Sequence, residues 1–432
     1  MIQPVQPLPR LMPDLFRLPI EKIRAGYKSD TYFNRTRDIL RRSGQKHPVE
    51  VQLFQKEPGA MVCGVDQVLA ILHAGTGHYH DAGRADRLFA EYLNLERLLY
   101  RLWLNLDSCP YEEFEPLNRK KFEVSRELAR LWEHHFAELK IRSLADGDRA
   151  GAYEPVMQIE GDLNEFVHLE TLLVGALTDG TMIATNTSGV VEAAAGKPVL
   201  MFGARHQSHE SQTGSGYAAW IGGAQDVSTD EQGEWWGSKG IGTIPHALIA
   251  ALNGDSVAAT VAFAEAFADL PTVSLVDFDN DSVGTALAVA EKLGRGLWGV
   301  RLDTAHDMID RSILDLIEKD LQAALGATTG VTPRLASLVR GALDRAGFDH
   351  VRILVSGGMT VAKIHAFEAA RAPVDGYGVG SALYDRADGR FEYTQDVVRP
   401  RAKRGRAHID SERLMTVDVH AVATSVSGSH LD

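Results

Sequence analysis

The stretch "TVSLVDFDNDSVGTALAVAEKLGRGLWGVRLDT" (272–304) decides the fold. Its apolar opening has the length of a strand and breaks off in an acidic turn. Residues 282–293 then carry helical periodicity, and a second apolar run closes on Arg301 and Asp303. Strand, helix and strand in that order read as a parallel pair joined by a crossover, because parallel neighbours cannot be linked by a tight turn. The runs "KPVLMFGAR" (197–205), "VRILVSGG" (351–358) and "VDGYGVGSA" (374–382) repeat the pattern, with helical segments at 307–325 and 333–346. Near-continuous apolar strands alternating with helices predict an α/β fold, a parallel sheet covered on both faces. Arg205, Asp277, Asp279, Arg301 and Asp303 all fall at the C-terminal ends of these strands. Barrel enzymes gather their sites there, so closure into a barrel is the expectation. An open doubly wound sheet, which also binds ligands at strand ends, is the alternative.

The rest of the chain has a different texture. Residues 1–60 read as turns with short strands, among them "VEVQLF" (49–54), followed by "GAMVCGV" (59–65). From 85 to 145 the pattern is helical. Leu95, Leu98, Leu99, Leu102 and Leu106 form one stripe, Leu128, Leu131, Trp132, Phe136 and Leu139 a second, and Pro110 and Pro116 break the chain between them. Both stripes read as packing surfaces. With 432 residues, 44% hydrophobic and 24% charged, the chain can bury a large core and is expected to form two domains. Cys63 and Cys109 are too few and too far apart for a disulfide framework or a four-cysteine zinc site, which points to a reducing, cytoplasmic setting. No segment is apolar for long enough to span a bilayer, and the proline-punctuated N-terminus has no signal-peptide pattern. A formal charge of −13 opposes nonspecific nucleic-acid binding. The one basic run, "RPRAKRGR" (399–406), reads as a solvated loop.

The candidate chemistry lies at the strand ends. The glycine turns "SGGM" (356–359) and "GYGVGS" (376–381) close the last two strands. Gly357, Gly358, Gly378 and Gly380 would let backbone amides approach a phosphate, the position barrel enzymes commonly use for one. Arg205 and Arg301 offer planar forks for carboxylate or phosphate oxygens, or else ion pairs with Asp303 or Asp277. Asp277, Asp279 and Asp303 are placed to hold magnesium, to grip ribose hydroxyls, or only to form turns. In "GSKGIGTIPHALIAALNGD" (237–255), His246 stands where a glycine-rich turn becomes a helix. Most of the 16 histidines must be incidental. The glycines before His246, however, could seat a phosphate beside an imidazole able to act as acid, base or nucleophile.

Taken together, "SDTYF" (29–33), "EPVMQIEGDLNEFVHLETLL" (154–173), "GKPVLMFGARH" (196–206), "YAAWIGGAQDVST" (217–229), "GIGTIPHALI" (240–249), "GVRLDT" (299–304), "ILVSGGM" (353–359) and "DGYGVGSAL" (375–383) resemble the nicotinate phosphoribosyltransferase family in its shorter, archaeal-like form. The resemblance implies an irregular TIM-like α/β barrel (156–385) packed on a second, discontinuous α+β domain built from 1–155 and about 385–432. It implies an active site shared across a homodimer. The implied reaction joins nicotinate to phosphoribosyl pyrophosphate, with magnesium as cofactor and ATP as co-substrate hydrolysed through a phosphohistidine. His246 matches that histidine. Tyr32 and Phe202 resemble the aromatic pair that sandwiches the pyridine ring. Arg205 and Arg301 match residues near the substrate anions, Asp303 an acid near the ribose, and the four glycines the 5′-phosphate cradle. Asp277 and Asp279 are the magnesium candidates. Ser228, with Asp226 two residues earlier, occupies the turn where amide-using relatives carry an aspartate, which favours nicotinate. "IATNTSG" (183–189) departs from the pattern, reading as a strand with Asn186 and Gly189 where many members carry basic residues. Quinolinate and nicotinamide phosphoribosyltransferases are the alternative enzymes, and a metabolite-binding homologue without turnover is the alternative outside catalysis.

Overall fold

The computed structural model describes residues 9–105, 111–319, 328–386 and 391–427. In chain order its strands are β1 (Pro48–Phe54), β2 (Ala60–Met61), β3 (Gly77–Tyr79), β4 (Trp132–His134), β5 (Lys140–Ser143), β6 (Arg149–Ala150) and β7 (Pro155–Asp162). They continue with β8 (Val199–Met201), β9 (Asp226–Val227), β10 (Val273–Leu275), β11 (Gly299–Leu302), β12 (Arg352–Val355), β13 (Gly376–Val379), β14 (Thr394–Arg399) and β15 (Met415–Thr416). The chain divides into two units, Met1–Thr181 with Gly389–Asp432, and Met182–Asp388.

In the first unit, antiparallel pairing gives the order β14-β1-β7-β5-β15. β1 runs against β7 from Pro48↔Asp162 to Phe54↔Pro155, so β7 is central to this sheet and carries the unit past residue 155. Val51, Leu53, Ile141, Met157 and Ile159 pack with Val68, Leu69 and Leu72 of the helix Val65–Gly75 to form the core. That helix starts at Gly64, whose φ of +105° and position, with a Cβ 2.6 Å from the Ala176 carbonyl oxygen, admit only glycine. The chain returns through β14 and β15, and the basic run is held at both ends. Arg399 pairs with Glu50 at 3.1 Å, and Arg406 pairs with Asp396 at 2.7 Å while lying over the Phe54 and Tyr153 rings.

Two long helices, Ala82–Trp103 and Tyr111–Leu131, are inserted between β3 and β4. Asp81 caps the first by accepting from the Arg84 amide. The pair keeps a core of its own from Ala85, Tyr92, Leu95, Val124, Leu128 and Leu131. The second stripe expected from sequence divides here. The helix stops at Leu131, Trp132 enters β4 to pair with Tyr79, and Phe136 and Leu139 pack into the core of the sheet. Pro116 does not break the chain but lies inside the second helix, where its missing N–H forfeits one ladder bond. Leu106, Cys109, Pro110 and the end of the helix expected at 307–325 lie outside the described residues.

In the second unit, six strands in the order β10-β11-β12-β13-β8-β9 form one wholly parallel sheet. Read as a ring, that order follows the chain. The sheet is curled, since Leu200 of β8, Val273 of β10 and Leu354 of β12 pack in one cluster with Phe202 although their strands are not neighbours. Alternate strands filling one layer is the interior of a barrel. The expected closure, however, is not made. β9 and β10 remain edges among the described residues, and only the single bridge Val227↔Gly240 extends the wall beyond β9. The segment 183–189, read from sequence as a strand, lies in the helix Glu170–Ala193. Its small polar residues are accommodated locally, as where the Thr187 hydroxyl donates back to the Ile183 carbonyl. Asn186 acts structurally, because its amide donates to the Leu383 and Asp385 carbonyls, 3.2 and 3.0 Å away, and holds the turn after β13.

Candidate active site

Side chains paired across parallel strands share a face. The register Arg301↔Leu354, Leu354↔Gly376, Gly378↔Leu200 and Leu200↔Asp226 therefore turns Arg301, Gly378 and Asp226 to the inside of the curl with Leu200 and Leu354. Arg301 is 9% exposed, and two of its three nitrogens are engaged. Nε donates to the Thr243 hydroxyl at 3.0 Å, and Nη1 donates to Ser356 Oγ at 2.9 Å and meets Asp303 Oδ2 at 3.0 Å. The Ser356 hydroxyl donates in turn to Asp303 Oδ1 at 2.7 Å. Asp303 is thus held by both oxygens. The Arg301 guanidinium also lies 5.8 Å from the centre of the Phe202 ring, so one wall of the curl is both aromatic and cationic.

The glycines divide into two kinds. Gly357 and Gly358 have φ of +78° and +67°, and a Cβ on Gly358 would meet open space within 4 Å. This left-handed turn leads into the helix Val361–Ala369, which Thr360 caps by accepting from the Lys363 amide. Lys363 Nζ donates to the Gly357 carbonyl at 2.9 Å. Burial lowers its pKa, and the nearby Asp303 carboxylate opposes that shift. Gly378 and Gly380 answer to packing. A Cβ on Gly378 would fall 2.5 Å from the Phe202 ring, and one on Gly380 would fall 2.8 Å from His206 Nε2.

His246 opens the helix His246–Ala251, and its Nε2 lies 3.1 Å from Asp277 Oδ2. The imidazole is half-exposed and the Asp277 side chain buried. Burial raises the Asp277 pKa above the usual carboxylate range. The His246 partner opposes the shift and the Asp303 charge adds to it. The other oxygen, Oδ1, is buried without a hydrogen-bond partner. Thr243, three residues before His246, is the group that accepts from Arg301, so the glycine-rich segment ties the imidazole to the arginine cluster.

The other candidates fall around this centre or apart from it. Asp279 is exposed, and the charges felt by Asp277 are those of His246 and Asp303. Arg205 is exposed on the short turn Ala204–His206 and makes no ion pair among the described residues. Ser228 donates through both its amide and its hydroxyl to Gln232 Oε1. Burial raises the pKa of the neighbouring Asp226 carboxyl. Tyr32 belongs to the first unit, where it is 59% exposed in the first turn of the helix Thr31–Arg42 and its ring lies tilted beside that of Phe33. Cys63 is buried, and burial holds its thiol well above the usual range, which leaves no nucleophile there. Sequence reasoning missed Thr243, Ser356 and Lys363. Ser356 and Thr243 stand inside motifs already singled out, but nothing in their spacing announces that they bracket one guanidinium.

No family model matches the chain. A nicotinate phosphoribosyltransferase of Mycobacterium tuberculosis is 30% identical over 234 residues, 53% of this chain and 45% of that protein. The chain therefore spans about half the length of the curated relatives it matches. Among solved structures, nicotinate-nucleotide pyrophosphorylase from Pyrococcus furiosus superposes with a TM-score of 0.66 at 27% identity, over 90% of this chain and 80% of that one. Human nicotinic acid phosphoribosyltransferase shares the fold, with a TM-score of 0.56 at 19% identity over 87% of this chain and 76% of that one. In sequence over about half its length the chain is thus similar to nicotinate phosphoribosyltransferases, and in fold over most of its length it is similar to enzymes named for nicotinate and its nucleotide.

Proposed function

We propose that the chain transfers the phosphoribosyl group of phosphoribosyl pyrophosphate to nicotinate, releasing nicotinate mononucleotide and pyrophosphate. The observation that carries this reading is the Arg301–Asp303–Ser356 cluster set against Phe202 and beside the Gly357–Gly358 turn. Phe202 supplies a flat apolar face for a pyridine ring, and Arg301 a fixed positive charge for a carboxylate or phosphate. In the transfer the bond from C1′ to pyrophosphate breaks and the pyridine nitrogen forms the new bond to C1′. Asp303, held by both oxygens, presents fixed negative charge near a ribose centre that becomes electron-poor as pyrophosphate leaves. The left-handed glycines, with Lys363 behind them, are suited to the 5′-phosphate, and Arg205 at the rim to the departing anion.

ATP hydrolysis is coupled through His246. With Nε2–H donated to Asp277, the Nδ1 lone pair is left to take the phosphoryl group, and Asp277 offsets the charge that develops on the ring. Magnesium fits the buried, unpartnered Oδ1 of Asp277, with water completing its shell, and when bound it would neutralise charge on phosphate oxygens. The acting form is a homodimer. Ser228 rather than an acid in the turn after β9 supports the acid over the amide as substrate.

The test is mononucleotide formation by the full chain from nicotinate, nicotinamide and quinolinate, each with and without ATP. Turnover of nicotinate stimulated by ATP is expected, with Arg301→Gln losing about 100-fold or more in kcat/KM and His246→Ala losing the stimulation but retaining basal transfer. Preference for quinolinate with release of carbon dioxide would reassign the substrate. Binding without turnover of any of the three would make the chain a metabolite-binding protein.

A further inference from the structure

β3 and β4 are the two feet of the inserted helical pair. They pair antiparallel as Gly77↔His134, His78↔Glu133 and Tyr79↔Trp132, which places His78 directly across from Glu133. The ribbon is tight: a Cβ on Gly77 would lie 2.0 Å from the Glu133 carbonyl oxygen. One residue beyond β4, the His135 ring stacks on that of His78 with centroids 5.2 Å apart and planes 5° from parallel. One nitrogen of each imidazole and one carboxylate oxygen of Glu133 lie within 4.8 Å of one another, and no other such group of three metal-ligating side chains occurs among the described residues.

The surroundings of the two rings are those of metal ligands. Each Nδ1 is engaged by a carboxylate of its own, His78 by Glu165 at 3.0 Å and His135 by Glu138 at 2.6 Å. A carboxylate on Nδ1 keeps the proton there and turns the Nε2 lone pair outward, the arrangement that orients histidines bound to zinc. His135 Nε2 is buried and has no hydrogen-bond partner, while His78 Nε2 is 3.5 Å from Glu133. A cluster of ion pairs without metal would account for His78. It would not account for His135, since an imidazolium there would bury an N–H with no acceptor. His80 stands at the edge, its Nδ1 3.9 Å from the other Glu133 oxygen. Two ligands of one tetrahedral ion lie roughly 3.3 Å apart, so binding would draw these three ligand atoms closer together than the 4.8 Å within which they now lie.

We propose that His78, Glu133 and His135 bind one divalent transition-metal ion of the zinc class, with water or His80 in the fourth position. Two imidazoles and one carboxylate select such an ion over magnesium or calcium. Both inserted helices lie between the ligands, so the ion closes the base of the whole insertion and ties its feet together. All three ligands belong to the first unit.

The test uses the full chain, freed of metal by chelator and titrated with zinc chloride by calorimetry, with metal content confirmed by mass spectrometry. One ion per chain and a higher melting temperature on loading are expected. His78→Ala and His135→Ala should each lower affinity about 100-fold, and Glu138→Gln, which touches His135 at Nδ1 and offers no ligand to the ion, about tenfold. Glu133→Gln lies at an exposed position and serves if the histidine variants do not fold; it should lower affinity at least tenfold. His350→Asn, on the second unit, should bind as wild type. The proposal is overturned if the wild-type chain shows no saturable binding at one equivalent, or if Glu133→Gln binds zinc and melts as the wild type does.

Discussion

Asp277 has one oxygen on His246 and the other buried without a hydrogen-bond partner. Because burial raises its pKa, it takes up a proton at a higher pH than an ordinary aspartate. As pH falls through that raised value the carboxylate becomes neutral and its pairing with the imidazole weakens. ATP stimulation should therefore fade on the acid side. Asp277→Asn should flatten that limb of the pH profile and lower stimulation about 10–100-fold at neutral pH, with transfer assayed in the presence and absence of ATP across the range. A profile unchanged by the substitution would remove Asp277 from the coupling. Glu170, in the first unit, tests the same physics through stability. Burial pushes its pKa from 4.5 up to about 7, and its bond from Gln395 opposes the shift. Between those two values the folded chain holds a proton that the unfolded chain has released, so the stabilisation is complete below 4.5 and is lost as pH rises through about 7. Glu170→Gln should melt at a higher temperature than the wild type above pH 7, and the difference should vanish below pH 4.5. Thermal melts at several pH values decide it.

At the scale of elements, β13 and the segment after β8 are matched by shape. Gly378 lies inside a strand, where a glycine costs stability, and its reason is the Phe202 ring that occupies the place of a Cβ. Gly378→Ala should leave the sheet intact and push the ring aside. A shift of about an ångström in a substrate-positioning group costs roughly 100-fold in catalytic efficiency. The expected outcome is a large loss in kcat/KM for nicotinate with a far-UV spectrum like the wild type. Unaltered kinetics would show that the ring does not carry the pyridine. Elements whose ends carry polar caps were legible in the sequence. The helix Ser282–Leu293 begins after Asp281, which accepts from the Gly284 amide, and Pro333–Arg345 begins after Thr332, which accepts from the Leu335 amide. The segment 183–189 was not legible. It lies in a helix buried on most sides, where the one-faced periodicity that marks a helix is absent and Thr, Asn, Ser and Gly read as a turn.

Across the whole molecule, the inserted helices carry a core that shares no residue with that of the sheet. Replacing 82–131 with a two-residue turn should therefore leave a chain that still unfolds cooperatively, with less helical signal and little change in the sheet. Calorimetry and circular dichroism measure this, and loss of the cooperative transition would show that the insertion is integral to the core. No helix among the described residues is long and apolar enough to cross a membrane.

The alternation of apolar strands and helices from 197 to 382 settled a parallel α/β sheet, and placed Arg301, Asp303, Asp277 and the Gly357–Gly358 turn at strand ends, because burial on both faces and the need for a crossover are written in local composition. His246 was read at a helix start, and the second glycine motif proves to be largely strand. Sequence could not say whether the sheet closes, since closure depends on how twist accumulates over strands contributed by distant segments, and here β9 and β10 stay apart. Nor could it say that Ser356 and Thr243 share one guanidinium, that Asp277 faces His246 rather than Asp279, or that His78 meets His135 across two intervening helices. Those are facts of side-chain direction and long-range register. Folding sets both by packing the entire chain at once, and no local run of residues records them.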